Sequence, residues 1–373
     1  MVMREKIGYY GRSVIKKMPE KIKNYSRYLY YASKTPFNYR KNVNLLRYFT
    51  SVGKKEEIDY IPPIFGATIS TACNLRCPTC LYALKDPDVF RGGKFIGVND
   101  FKSVIDKYAR VIEIVWLTGG EPLLHPELDE LVKIVKNKGP SVRISTNGIL
   151  INKNIGIMKS FDFINVSMDG YNYETFERFR GGKKKQFNDT LGGLSLLRKN
   201  NLKFMISFML TEENLDEIYE MIKFGYEAKP AILNFHNINP HGSKEYTPLT
   251  KKSKKVNQIL SDIVTKKNYP FDIQLPVIFD TTSKHFKMSK CIQPWHYCCF
   301  DDKGNISYCC HLRHKADIGN IFKGYNFNSD KMKNFRRLTI NHQYPKEDCL
   351  YCQRRFAGEE YGFFNSRSKK WIL

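Results

Sequence analysis

Ten cysteines fall in two groups and nowhere else: Cys73, Cys77 and Cys80 in STACNLRCPTCLY, residues 70–82, and seven between Cys291 and Cys352. A cysteine thiolate is a metal ligand, and clustered cysteines in a chain of this size without an export signal bind metal or act in catalysis more often than they form disulfides. The first group is spaced C-x3-C-x2-C with no fourth cysteine nearby. A tetrahedral site would be one ligand short. Either a distant residue completes a zinc site, or an iron-sulfur cluster leaves one iron open to an outside ligand.

In the second group, Cys291 is followed by twelve residues, Gly304, four residues and Cys309, and Cys349 and Cys352 come some forty positions later. The segment FDDKGNISYCC reads as a hairpin turning at Lys303 and Gly304, which sets Cys309 near Cys291. Cys291, Cys309, Cys349 and Cys352 form a candidate ligand set. Cys310 could replace Cys309, and Cys298 and Cys299 fit buried structural roles. A structural zinc ion held by four cysteines would use the same residue type.

The elements that position these groups repeat. Apolar runs at 65–71, 111–120, 141–148, 163–170, 203–210 and 231–238 read as strands, with helices expected around 101–108, 127–138, 153–160, 187–199 and 214–228. Hydrophobicity along the strands reads as continuous rather than alternating, which indicates a parallel sheet covered by helices, doubly wound or curled into a complete or partial barrel. Polar residues gather at the carboxyl ends: Gly119, Gly120 and Glu121 after the second strand, Ser145, Thr146, Asn147 and Gly148 on the third, Ser167, Asp169 and Gly170 on the fourth. The first cysteine loop leaves the first strand at that same rim, where barrel enzymes carry their active sites. His236, near the end of the sixth strand, and His241 beyond it are further candidates there. His125, flanked by Pro126, suits a structural turn better than chemistry.

CNLRCPTC followed by LTGGEPLLHPEL, ISTNG and VSMDG resembles the radical S-adenosylmethionine enzymes. The resemblance implies an α/β fold, a partial (β/α)6 TIM-like barrel, in which Cys73, Cys77 and Cys80 hold a [4Fe-4S] cluster whose fourth iron binds S-adenosylmethionine. It implies further that Gly119, Gly120 and Glu121 meet the methionine amino group, that Ser167 and Arg180 bind the carboxylate, and that Asn147 faces the ribose. The chemistry expected is reductive cleavage to methionine and a 5'-deoxyadenosyl radical that takes hydrogen from a substrate. Thr79 departs from the aromatic residue that many members carry before the third cysteine. The second group resembles the start of the SPASM motif, and because Gly358 stands where its next cysteine would fall, it matches the shortened twitch form with one auxiliary [4Fe-4S] cluster. Full ligation by Cys291, Cys309, Cys349 and Cys352 favours electron transfer over substrate coordination. The expected division is a basic extension over 1–60, the barrel over 61–270 and the twitch/SPASM-like domain over 271–373.

The 373 residues carry a net charge of +24 and 42% hydrophobic residues, and no run approaches the ~18 apolar residues of a membrane span. A cytoplasmic protein is the expectation. Residues 1–56 hold fourteen Lys or Arg against three Glu, interleaved with Tyr9, Tyr10, Tyr25, Tyr28, Tyr30 and Tyr31. Such a leader suits a small or lipid-linked anionic substrate, or peripheral contact with an anionic membrane; a solvated cap is the plain alternative. RNA is disfavoured because no RNA-binding module is present. An external reductant such as flavodoxin or ferredoxin would be the electron source. Peptide maturation and RNA modification stand as alternative activities, and a non-catalytic iron-sulfur sensor or electron carrier as an alternative of another class.

Overall fold

The computed structural model describes residues 38–80, 93–238, 245–250, 253–265, 269–276, 291–312 and 317–343, positions 278, 349 and 352, and two short strands at 363–365 and 370–372. Most of the basic leader and His241 lie outside the described residues.

Seven parallel strands follow one another across the sheet: β1 (Ile64–Ser70), β2 (Ile114–Gly119), β3 (Ser141–Thr146), β4 (Phe163–Ser167), β5 (Phe204–Leu210), β6 (Ile232–Asn237) and β7 (Asp272–Gln274). Their spatial order is their chain order, without the reversal that defines a doubly wound sheet. The sheet is therefore of the barrel type and left open. β8 (Tyr297–Phe300) runs parallel along the far side of β1, with β9 (Ile306–Ser307) antiparallel to it, while β10 (Phe363–Asn365) and β11 (Lys370–Ile372) extend the β7 edge. The partial (β/α) barrel expected from the sequence is the fold observed.

The strands depart from the expected pattern in one respect. Burial alternates along β2, β3, β4 and β6, and is unbroken along β5. The register assigns Phe65, Ala67, Val115, Leu117, Val142, Ile144, Ile164, Val166, Ile206 and Leu233 to one face, all buried and apolar. Thr68, Trp116, Thr118, Arg143, Ser145, Asn165, Ser167, Asn234 and His236 occupy the other, half-buried face. Successive side chains point to opposite faces, so the apolar set packs under the helices and the polar set lines an open interior. These strands are half-buried and alternating rather than continuous.

Helices α1 (Tyr39–Ser51), α2 (Val98–Tyr108), α3 (Leu128–Lys136) and α4 (Ile151–Met158) precede β1 to β4. Between β4 and β5 stand two helices, α5 (Tyr173–Arg180) and α6 (Lys184–Lys199), where the hydrophobic pattern suggested one. The signal for α5 lies in its ends. Asn172 and Thr175 form a capping box, and Gly181 closes the helix at φ +62°. The hairpin expected at Lys303–Gly304 is present: Gly304 has φ +79°, and the Asp301 carboxylate accepts the N–H groups of Lys303 and Asn305 at 2.9 and 2.8 Å.

Candidate functional site

The cysteine loop leaves β1 and is pressed against the end of β2. The N–H of Gly120 donates to the Ser70 carbonyl at 2.8 Å, and that of Glu121 to the Ala72 carbonyl at 2.7 Å. A Cβ on Gly119, which has φ +147°, would stand 2.1 Å from the Ser70 carbonyl oxygen; one on Gly120 would stand 2.4 Å from the Ala72 oxygen and 3.0 Å from Cys73 Cβ. The glycine pair is thus required by the close approach of two backbones. Four further ties hold the loop. Asn74 accepts from Asn147 Nδ2 at 2.7 Å on its side chain and from Gln186 Nε2 at 2.9 Å on its carbonyl. Thr79 Oγ1 donates to the Phe179 carbonyl at 3.3 Å, and Gly181 approaches so closely that a Cβ there would stand 2.6 Å from the Arg76 oxygen.

Held this way, Cys73, Cys77 and Cys80 lie within electrostatic reach of one another and of Arg180. Burial raises the Cys73 and Cys77 thiols above their ordinary range, Cys77 to about 11. They are neutral without metal, and binding metal would release their protons. Burial opposes the Arg180 charge, but the neighbouring Cys77, once ionised, and the Asp169 carboxylate outweigh it and keep the guanidinium protonated. Its Nη1 donates to Asp169 Oδ2 at 3.1 Å, while its Nε is buried and finds no acceptor among the described residues. Asp169 is fixed in turn: it is 4% exposed, has φ +52°, and its Oδ1 accepts the N–H of Met209 at 2.8 Å. A left-handed aspartate is uncommon and marks a constrained position.

Glu121 is fully buried and braces two strand ends. Its Oε1 accepts from the Leu123 N–H at 3.0 Å and the Thr146 hydroxyl at 2.7 Å, and its Oε2 from the Asn147 N–H at 2.8 Å. Burial raises its carboxyl, which these hydrogen bonds partly offset. Asn147 spends its side chain locally, donating to Asn74 and accepting from the Ile149 N–H at 3.1 Å. Both residues lie beside the cysteine loop, and the bonds observed are ones that shape it. Ser167 ends β4 on the inner face.

His125 is a structural residue. Its Nδ1 accepts from the Glu127 N–H at 3.1 Å, which leaves Nε2 to donate to the Ile96 carbonyl at 3.0 Å, so the buried ring is neutral and burial lowers its pKa. His236 lies on the inner face, one residue from the end of β6. An inner-face row the sequence reading passed over joins Ser145, Asn165, Ser207 and Asn234. Its signal was the alternation of polar residues in β3 and toward the ends of β4 and β6.

The second cysteine group also comes together. Cys309 is 6% exposed and is surrounded by Cys310, Cys352, Cys291 and Cys299; burial raises its thiol well above the usual range. Cys352 donates its N–H to the Cys349 carbonyl at 3.4 Å. Cys310 turns toward Gln293, with Sγ 3.6 Å from Oε1, and Cys298 and Cys299 are buried on β8. Among the described residues no group of His, Cys, Asp and Glu could hold a single metal ion as it stands. A cluster makes a different demand, since its thiolates take separate irons, and three thiols near a buried cation fit that donor set at the first site.

Residues 68–225 match the Radical SAM superfamily. The chain is 30% identical over 189 residues to an AdoMet-dependent heme synthase of Methanosarcina barkeri, covering 48% of this chain and 52% of that protein. It is 29% identical over 220 residues to a GTP 3',8-cyclase of Clostridium perfringens, 55% of this chain and 65% of that one. The antilisterial bacteriocin subtilosin biosynthesis protein AlbA of Bacillus subtilis is 22% identical over 259 residues, 67% of this chain and 55% of that protein. These matches span roughly half to two thirds of the relatives' own lengths. In fold, the chain is similar to Streptococcus suis SuiB bound to its precursor peptide SuiA, with a TM-score of 0.61 and 15% identity over 84% of this chain and 74% of that one. It is also similar to native anSMEcpe with bound AdoMet and the Cp18Cys peptide, with a TM-score of 0.57 and 18% identity over 82% and 94% of the two chains.

Proposed function

From the premise that this chain carries a radical SAM domain, we propose that it is an enzyme that cleaves S-adenosylmethionine reductively and takes hydrogen from an organic substrate held in the barrel interior. The observation that carries this reading is the set of three thiols near Arg180 at the carboxyl end of β1, pressed against the Gly119–Gly120 backbone. When bound, a [4Fe-4S] cluster with S-adenosylmethionine on its open iron supplies a one-electron route to a carbon-centred radical. Cys73, Cys77 and Cys80 would hold that cluster. Gly119 and Gly120 offer the close backbone approach for the methionine end, with Glu121 holding the segment in place. Arg180 has a buried Nε–H to offer a carboxylate, and Ser167 a hydroxyl on the same rim.

Cys291, Cys309, Cys349 and Cys352 would hold an auxiliary cluster that moves electrons, and a one-electron reductant such as flavodoxin or ferredoxin would supply the first one. The substrate is a small molecule in this reading. Peptide modification is the second reading, favoured by the 259-residue match to AlbA. The case for an anionic or lipid-linked substrate rests on the basic leader, most of which lies outside the described residues, and on the net charge of +24. No helix among the described residues is long and apolar enough to cross a membrane.

The test is 5'-deoxyadenosine formation under dithionite by anaerobically purified, iron-reconstituted protein beside a Cys77→Ala variant. Product that disappears in the variant supports the enzyme reading. No product from a fully iron-loaded protein overturns it in favour of a sensor or electron carrier.

A further inference from the structure

The strand register assigns the residues that line the barrel interior, and a row of neutral polar side chains crosses it. Trp116 Nε1 donates to Ser145 Oγ at 2.8 Å, Asn165 Nδ2 donates to the same oxygen at 3.4 Å, Ser207 Oγ donates to Asn165 Oδ1 at 2.8 Å, and Asn234 Nδ2 donates to Ser207 Oγ at 3.0 Å. One hydrogen-bonded row thus crosses five strands, β2 to β6, without a formal charge in it. Ser207 is buried at its centre, and Trp116, Ser145, Asn165 and Asn234 are half-buried and open to the interior.

The row has unspent groups on β3 and β6. Ser145 Oγ accepts twice, so both lone pairs are used and its proton remains to be donated. Asn234 gives one N–H to Ser207 and keeps its amide oxygen as an acceptor. A donor on β3 and an acceptor on β6, three strands apart, complement a substrate that carries both accepting and donating groups along its length, as several hydroxyls or amides do. They do not complement a carboxylate or phosphate, which would lose its hydration for a single hydroxyl donor.

Formal charge on the described inner face of β1–β7 is confined to Arg143 and Asp272, both nearer the starts of their strands than the rim. Arg143 lies over the rings of Trp116 and Phe163, 5.6 and 5.7 Å from their centroids. Its guanidinium faces are covered by the aromatics. Thr68, Thr118, Ser145, Ser167, Asn234 and His236 line the half nearest the cysteine loop.

Resting on the radical-enzyme reading above, we infer that the substrate group delivered to the barrel interior is uncharged and hydroxyl- or amide-bearing, read by the Ser145–Asn165–Ser207–Asn234 row. Any anionic portion of the substrate stays outside the barrel, toward the basic surface.

The experiment is saturation-transfer NMR on the reconstituted protein loaded with S-adenosylmethionine, using methyl β-glucoside and N-acetylalanine methylamide as neutral probes. Glucose 6-phosphate and N-acetylalanine are their charged counterparts. At least one neutral probe is expected to bind about fivefold or more tightly than its charged counterpart, and the winning arm distinguishes a hydroxyl-bearing from an amide-bearing source. Asn234→Leu is expected to abolish that preference. Asn234→Ser, which keeps an acceptor, should restore part of it, and iron content and thermal melting show that each variant is folded. Equal or tighter binding of the charged probes, or no binding of any probe to protein that does cleave S-adenosylmethionine, overturns the inference. Protein that binds neutral probes by this row but forms no 5'-deoxyadenosine would overturn the enzyme reading and leave the interior site standing.

Discussion

Asp169 holds Arg180 near the three thiols: one carboxylate oxygen accepts from the guanidinium at 3.1 Å and the other takes the backbone N–H of Met209 at 2.8 Å. The aspartate links the ends of β4 and β5 to the cation that lies near the cysteine loop. Asp169→Asn breaks the charged part of this arrangement at constant size. It is expected to lower the rate of 5'-deoxyadenosine formation tenfold or more, about 1.4 kcal/mol in the barrier, with iron content unchanged. Chromatography of the product beside an iron assay checks this, and an unchanged rate would remove Asp169 from any role in positioning Arg180.

Gly120 tests the backbone approach. A Cβ there meets the Ala72 carbonyl oxygen at 2.4 Å, so Gly120→Ala should push the cysteine loop outward. The expected outcome is loss of iron at the first site with the far-ultraviolet circular dichroism preserved. Gly156, a helical glycine with nothing within 4 Å of its would-be Cβ, serves as the control. Gly156→Ala should keep full iron and gain roughly 0.5–1 kcal/mol of stability.

Removing the Glu121 carboxylate strands three buried donors: the Leu123 and Asn147 N–H groups and the Thr146 hydroxyl. Each buried group left unsatisfied costs about 1–3 kcal/mol. Glu121→Ala is therefore expected to destabilise the fold by about 3 kcal/mol or more in urea unfolding. Glu121→Gln, which keeps one acceptor oxygen, should fall between.

The two adjacent cysteines at 309 and 310 differ in burial and in side-chain partners. Cys309 is buried with Cys310, Cys352, Cys291 and Cys299 near it, and Cys310 Sγ lies 3.6 Å from Gln293 Oε1. If an auxiliary cluster is held there, Cys309→Ser should remove about half of the reconstituted iron and Cys310→Ser should leave it unchanged. The reverse pattern would exchange the two assignments.

His125 predicts a pH dependence. Burial depresses its folded-state pKa below the ordinary ~6.5, so the unfolded chain takes up a proton that the folded chain resists. Its stabilising contribution is full above that value and is lost as pH falls through the interval down to the depressed folded pKa, with a slope of at most ~1.4 kcal/mol per pH unit. Denaturant titrations from pH 7.5 to 5 should show this slope in the wild type and a reduced one in His125→Gln.

Much of the molecule is readable along the chain because its signals are local. Three cysteines within eight residues, glycines where two backbones must touch, and polar residues at strand ends identify the rim without reference to distant partners. The strands were harder. A run such as FINVS reads as apolar until its neighbours are known, and the register then turns its alternate residues, Asn165 and Ser167, toward an interior that only a curved sheet creates. Helix α5 was hidden because eight residues carry too little periodicity, and its evidence lay in the caps at Asn172 and Gly181.

By itself the sequence determined the ligand chemistry and the strand ends that carry it, since thiol type, glycine freedom and turn residues act within a few positions. Tertiary structure alone decided that Asp169 holds Arg180, that Cys309 is buried near Cys352 and Cys291, and that a neutral hydrogen-bonded row lines the barrel. Those relations join residues from 11 to 43 positions apart, and it is the packing of helices on the apolar face of the sheet that brings such residues together.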